Sequence, residues 1–204
     1  MKPSASFLYF LFFLLLIGLT ISAEVVIDSD GDMMRNGGTY RLSSPYPYGG
    51  VAIVSAAIRH EGTNLFSLAV VAVRYTTGWP VTISSLDRTT FINTSSPLSL
   101  KFAYLPLNWV VEKSLPLGEA VMLGYAQESG DAYVSGSFSI ETYDSEKHHY
   151  KLVFREDGKD VCRNIGVKLD SEERPRLVVT GEEPLVFQFD KVKGNFNSDL
   201  AMVV

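Results

Sequence analysis

Cysteine occurs once in this chain of 204 residues, at position 162. An intrachain disulfide is therefore impossible, and packing and backbone hydrogen bonds must hold the fold together. Cys162 is either a small buried apolar residue or a free thiol able to pair between chains. Histidine is almost as scarce, with three residues. His148 and His149 are adjacent, so in an extended segment their rings face opposite ways and cannot share one metal ion. His60 alone is too little for a zinc site, and no metal or cofactor is expected. A basic block is missing as well, and the net charge is -5 at pH 7, which argues against nucleic acid and anionic lipid as partners. Gly-x-Ser-x-Gly does not occur and nothing gathers a nucleophile with a base, so an enzyme is not expected. Asp28-Ser29-Asp30-Gly31-Asp32 has the oxygen-rich look of a calcium loop. The EF-hand places glycine sixth and glutamate twelfth, whereas here glycine comes fourth and Thr39 twelfth, so a polar turn is expected.

What is present begins with Lys2 and an apolar run from Phe7 to Ile21, closed by Ser22-Ala23. This reads as a secretory signal peptide over residues 1–23. The core of the run is shorter than the ~20 apolar residues that a membrane-spanning helix needs. Its removal leaves 181 residues and takes away Lys2, the only charge in the segment, so the net charge moves from -5 to -6. That length fits one domain, placed at 24–192, with a loose tail at 193–204. The expected location is extracellular, in the apoplast, or the vacuole, as a monomer without membrane contact once the signal is removed.

From Glu24 onward no window keeps a helical period, while short runs rich in Val, Ile, Leu, Tyr and Phe alternate with Gly, Pro, Asn, Asp and Ser. The reading is all-β with twelve strands. They are Thr39–Leu42, Val51–Val54, Leu68–Val73, Val81–Ser84, Leu98–Phe102 and Trp109–Val111 in the first half. Val121–Gly124, Ser137–Thr142, Tyr150–Phe154, Ile165–Leu169, Arg176–Val179 and Leu185–Phe189 follow. Periodicity leaves a sandwich, a propeller and a closed barrel of hairpins open. Pro97-Leu98-Ser99-Leu100-Lys101-Phe102 and Pro184-Leu185-Val186-Phe187-Gln188-Phe189 resemble each other, a faint sign of internal repetition.

Between two of these runs lies Leu86-Asp87-Arg88-Thr89-Thr90, a polar loop with one arginine, and just beyond it Asn93-Thr94-Ser95, a glycosylation sequon expected at the surface. The start of the chain after the signal, Val26-Ile27-Asp28-Ser29-Asp30-Gly31-Asp32-Met33-Met34 with Tyr40-Arg41-Leu42, resembles the amino-terminal signature of the plant Kunitz family of soybean trypsin inhibitor type. Asn36-Gly37-Gly38, Ile83-Ser84-Ser85, Tyr150-Lys151-Leu152-Val153-Phe154, Asn164-Ile165-Gly166 and Arg176-Leu177-Val178-Val179 extend the likeness along the chain.

The resemblance implies a β-trefoil, twelve strands in three pseudo-repeats, that inhibits a trypsin-like serine protease in the manner of a substrate. It places Arg88 in the protease's specificity pocket, with Leu86 and Asp87 before it, Arg88-Thr89 as the scissile bond and Thr90 beyond. Asn36 would brace the loop from behind. Both disulfides usual in the family are missing: Phe66 stands at one cysteine position, Arg155 at another, and a shortened stretch before Trp109, with a shorter sixth strand, removes a third. Cys162 is left unpaired. Native disulfides commonly contribute ~2–5 kcal/mol each, so a less stable scaffold is expected. Asp87 could fold back onto Arg88 and weaken docking. The alternatives are a non-inhibitory trefoil that binds or stores, and an inhibitor of a cysteine protease or an amylase through another surface.

Overall fold

Pairing among the strands closes a ring. A computed structural model of the chain describes residues 23–45, 50–59, 66–74, 76–114, 117–125 and 132–193. Among them lie β1 (Gly38–Ser44), β2 (Val51–Arg59), β3 (Phe66–Arg74), β4 (Val81–Ser85), β5 (Leu98–Phe102), β6 (Asn108–Ser114) and β7 (Gly118–Gly124). There follow β8 (Tyr133–Val134), β9 (Gly136–Asp144), β10 (His149–Glu156), β11 (Cys162–Leu169), β12 (Pro175–Thr180) and β13 (Val186–Lys191). Six of them form a barrel through antiparallel pairs, in the order β1, β4, β5, β9, β10, β13 and back to β1. Closure leaves this ring without a free edge.

The other long strands make three hairpins, β2–β3, β6–β7 and β11–β12. Their second strands meet in a triangle, β3 with β7, β7 with β12 and β12 with β3, which caps the barrel. Each repeat therefore supplies two barrel strands and one hairpin, the arrangement of a β-trefoil. The twelve expected strands are all present. The thirteenth, β8, has two residues and pairs only with β6.

Alternation along β4 and β5 explains their share of the core, whereas β9 and β10 each bury three residues in a row. In β4 the buried residues are Val81, Ile83 and Ser85, and in β5 they are Leu98, Leu100 and Phe102. The triangle strands are covered on both faces. Val70 and Ala72 of β3, Val121 and Leu123 of β7, and Leu177 and Val179 of β12 face the main core. Ala69, Val71, Ala120, Met122 and Val178 belong to a second apolar cluster. Strands covered on both sides read as unbroken apolar runs, as Val121-Met122-Leu123 does. At the edge of that second cluster Arg176, 2% exposed, reaches Asp170 Oδ2 at 3.5 Å and Met122 Sδ at 3.0 Å. Burial pushes the Asp170 carboxyl up, but hydrogen bonds from the Arg174 backbone and side chain and from the Glu172 backbone outweigh it, and its pKa lies below the ordinary carboxylate value.

Several expectations change. β6 runs for seven residues, so the sixth strand is not shortened. The two similar proline-led segments are not equivalent parts of a repeat, since β5 opens the second repeat and β13 closes the third; they look alike because both alternate. Cys162 is half-exposed at the head of β11 rather than buried. It lies directly across from Arg155 of β10, whose Nε donates to Sγ at 3.1 Å, so an exposed polar contact stands at the expected disulfide position. Phe66 is 65% exposed at the start of β3. The polar turn at Asp28 forms, with Oδ1 accepting the backbone N–H of Asp30 at 3.1 Å and Asp32 at 2.9 Å. His60, the apolar run Phe7–Ile21 and the tail at 194–204 lie outside the described residues.

Candidate functional site

The loop from Leu86 to Thr90 leaves the barrel between β4 and β5 and is held on both flanks. On the incoming side Gly37 N–H donates to Ile83 O at 2.8 Å and Leu86 N–H to Pro97 O at 2.9 Å. On the outgoing side Asn36 N–H donates to Thr90 O at 3.0 Å and Ile92 N–H to Met34 O at 2.9 Å, while Thr89 Oγ1 donates to Phe91 O at 2.7 Å. The segment Val25–Arg35 lies under the outgoing strand, bridging Val25 to Asn93 and Arg35 to Phe91. Two buried phenols fix that segment, Tyr40 accepting from Arg35 N–H at 2.8 Å and Tyr150 from Ile27 N–H at 2.9 Å. Burial raises the pKa of both.

Asn36 spans the loop. Its Nδ2 donates to Thr89 O at 2.7 Å and its Oδ1 accepts from Ser85 N–H at 2.9 Å, so one amide ties together residues on either side of Arg88. Gly37 and Gly38 let the chain come in close behind. Gly37 has φ 75, and a Cβ on Gly38 would press on the Tyr40 ring and the Arg35 carbonyl. Ser85 is buried, and its Oγ accepts from Asp87 N–H at 3.2 Å, closing a small turn.

At the tip, Leu86, Asp87, Arg88 and Thr90 are exposed. Among the described residues no ion pair involves Asp87 or Arg88, so the carboxylate is not folded back onto the guanidinium. Sequence reasoning missed the backbone of Arg88, which has φ 56, in the left-handed region that a non-glycine residue occupies at a cost of about 1–2 kcal/mol. No residue type at 88 signals it; the turn closed by Ser85 on one side and the Asn36 bond on the other impose it. The sequon is only partly at the surface, with Asn93 half-buried and Thr94 buried, Thr94 Oγ1 accepting from Glu24 N–H at 3.0 Å.

The family of legume Kunitz proteins, described as trypsin and protease inhibitor, matches residues 26–191. The chain belongs to this Kunitz family. Trypsin inhibitor B of Glycine max is 37% identical over 185 residues, which span 83% of this chain and 97% of that protein. The crystal structure of trypsin inhibitor 1 from Senna obtusifolia superposes with a TM-score of 0.74 at 45% identity, covering 91% of this chain and all of that one. Soybean trypsin inhibitor in its complex with porcine pancreatic trypsin gives a TM-score of 0.70 at 35% identity, covering 83% of this Kunitz chain and 100% of the inhibitor.

Proposed function

We propose that this Kunitz protein inhibits a trypsin-like serine protease by presenting Arg88-Thr89 as a slowly cut, readily religated substrate bond. The observation that carries the reading is the amide of Asn36 bonded on both sides of that peptide, to Thr89 O and to Ser85 N–H. Ordering a flexible peptide of five residues costs about 5–10 kcal/mol. A loop already ordered forfeits little of that on docking, and the difference goes to affinity. The exposed guanidinium of Arg88 suits a carboxylate at the base of a specificity pocket, where paired charge-assisted hydrogen bonds form. If the bond is cut, the Thr89 carbonyl stays tied to Asn36. The new amine then remains beside the acyl group and religation competes with release.

The apolar run at 7–21 supports export of the chain, to the apoplast or the vacuole, with Glu24 as the first residue after cleavage. A single trefoil domain can act as a monomer in this role. Titrating trypsin with the purified protein, beside an Arg88→Ala variant, tests the proposal. Stoichiometric inhibition by the first and none by the second is expected; no inhibition by micromolar wild type would overturn it.

A second reading, a trefoil that binds or stores without inhibiting, is favoured by φ 56 at Arg88, because a protease cleft takes its substrate as an extended chain. Under that reading prolonged incubation with trypsin digests the domain. Under the first, the protein survives intact or carries a single nick at Arg88-Thr89.

A further inference from the structure

Five loop residues are too few to make a stable protease interface, which needs about 800 Å² and ~20–30 residues from each partner. The remaining contact must come from surface beside the loop. There a cleft of about 320 Å³ opens, and Leu86, two residues before Arg88, forms part of its wall. The loop and the cleft are joined again through Pro97, whose carbonyl accepts from Leu86 N–H, because the next residue, Leu98, also lines the cleft.

The chemistry of the cleft is specific. Its lining residues include Trp109, Phe138 and Phe154, whose side chains belong to the buried core, and Tyr125, which is 61% exposed. Asp157 also lines it, an exposed residue whose carboxylate has no hydrogen bond or ion pair among the described residues. An exposed tyrosine in the same cleft as a carboxylate without an ion pair favours an apolar stem ending in a cation, since ring quadrupole and carboxylate attract the same charge. Exposed tyrosine is also among the residue types that dominate interface energetics.

We propose that this cleft is a second docking site for the protease that takes the loop, receiving a lysine or arginine side chain from the enzyme's surface. The inference rests on the reading that Arg88 enters a protease, and it adds the surface that steers and steadies that encounter. Asp157 would act mainly on the association rate and its salt dependence, as charges at the margin of an interface do.

The test is a series of full-length variants, Asp157→Asn, Asp157→Lys and Tyr125→Ala, measured with trypsin for inhibition constant and association rate at low and high salt. Asp157→Asn is expected to weaken inhibition about tenfold, the loss of one charge-assisted hydrogen bond. Asp157→Lys should weaken it further, and in both the salt dependence of association should flatten. Tyr125→Ala should cost about fivefold or more. Thermal midpoints should stay at the wild-type value, which separates docking from folding. Wild-type inhibition by all three variants, with Arg88→Ala inactive, overturns the second site and leaves the reactive loop standing. Tighter inhibition by Asp157→Lys overturns the cationic occupant. Failure of the wild type to inhibit trypsin overturns the loop reading and this inference with it.

Discussion

Replacing Asn36 separates the two halves of the brace. In the wild type Nδ2 donates to Thr89 O at 2.7 Å and Oδ1 accepts from Ser85 N–H at 2.9 Å. Asn36→Ala removes both and leaves the carbonyl of half-buried Thr89 and the N–H of buried Ser85 without these partners. A net hydrogen bond is worth about 0.5–1.5 kcal/mol and an abandoned buried group costs about 1–3 kcal/mol. The partial exposure of the site puts the loss near 2–3 kcal/mol, which corresponds to about 30- to 150-fold in inhibition constant. Asn36→Asp keeps an acceptor for Ser85 N–H and strengthens it, but sets carboxylate oxygen against the Thr89 carbonyl. Only the side that follows the proposed scissile bond is released, so a rise of about tenfold is expected, from ~1.4 kcal/mol. The aspartate variant should also be cut faster, because the released Thr89 amine drifts from the acyl group. Inhibition constants with trypsin, together with the rate at which the variants are nicked, read both effects. The backbone of residue 36 still donates to Thr90 O in every variant, so the thermal midpoint should fall by only a few degrees. Alanine and wild type agreeing within twofold, in both inhibition and nicking, would refute the brace.

Two predictions concern the scaffold. Asp170→Asn removes the carboxylate that pairs with buried Arg176 and should cost about 3–5 kcal/mol, a drop of ~10 °C in thermal midpoint. Because the Asp170 pKa is depressed in the folded protein, its contribution is present above the unfolded carboxylate value and disappears as pH falls through the folded one. A midpoint that does not move, or a pair that still stabilises the fold in strong acid, would count against this assignment. Tyr40 and Tyr150 have raised folded pKa values, so their contribution is full below about pH 10 and is lost as pH rises through the folded values, by ~1.4 kcal/mol per pH unit for each phenol. Denaturant midpoints from neutral to alkaline pH should fall in that window and inhibition with them, and the Tyr150→Phe variant should fall less steeply; an equal slope would exclude Tyr150.

Strand existence was legible because alternation is local: Val81, Ile83 and Leu98, Leu100, Phe102 declare a buried face within five residues. Barrel closure was not, because it depends on pairs such as β1 with β13, where Tyr40 meets Lys191 across the whole chain. The two-residue β8 carries no period at all and exists only through its pairing with β6. At the site, Arg88 and Asn36 were reached through family likeness, and the structure adds the bonds that make Asn36 a brace. The left-handed turn at Arg88, the Thr89 hydroxyl bond to Phe91 O and the cleft beside Leu86 come from contacts between distant segments. Likewise the burial of Arg176 could not be read from a strand that merely begins with a charged residue, since its partner lies in the loop before it and its neighbour Met122 in another repeat.

Mapping the bond that trypsin cuts tests the central claim most directly. After incubation with catalytic trypsin at mildly acidic pH, the protein should carry one new amino terminus at Thr89, remain folded, and be restored in part to the intact chain when more trypsin is added. A first cut elsewhere, with inhibition retained, would contradict Arg88-Thr89 as the inhibitory bond.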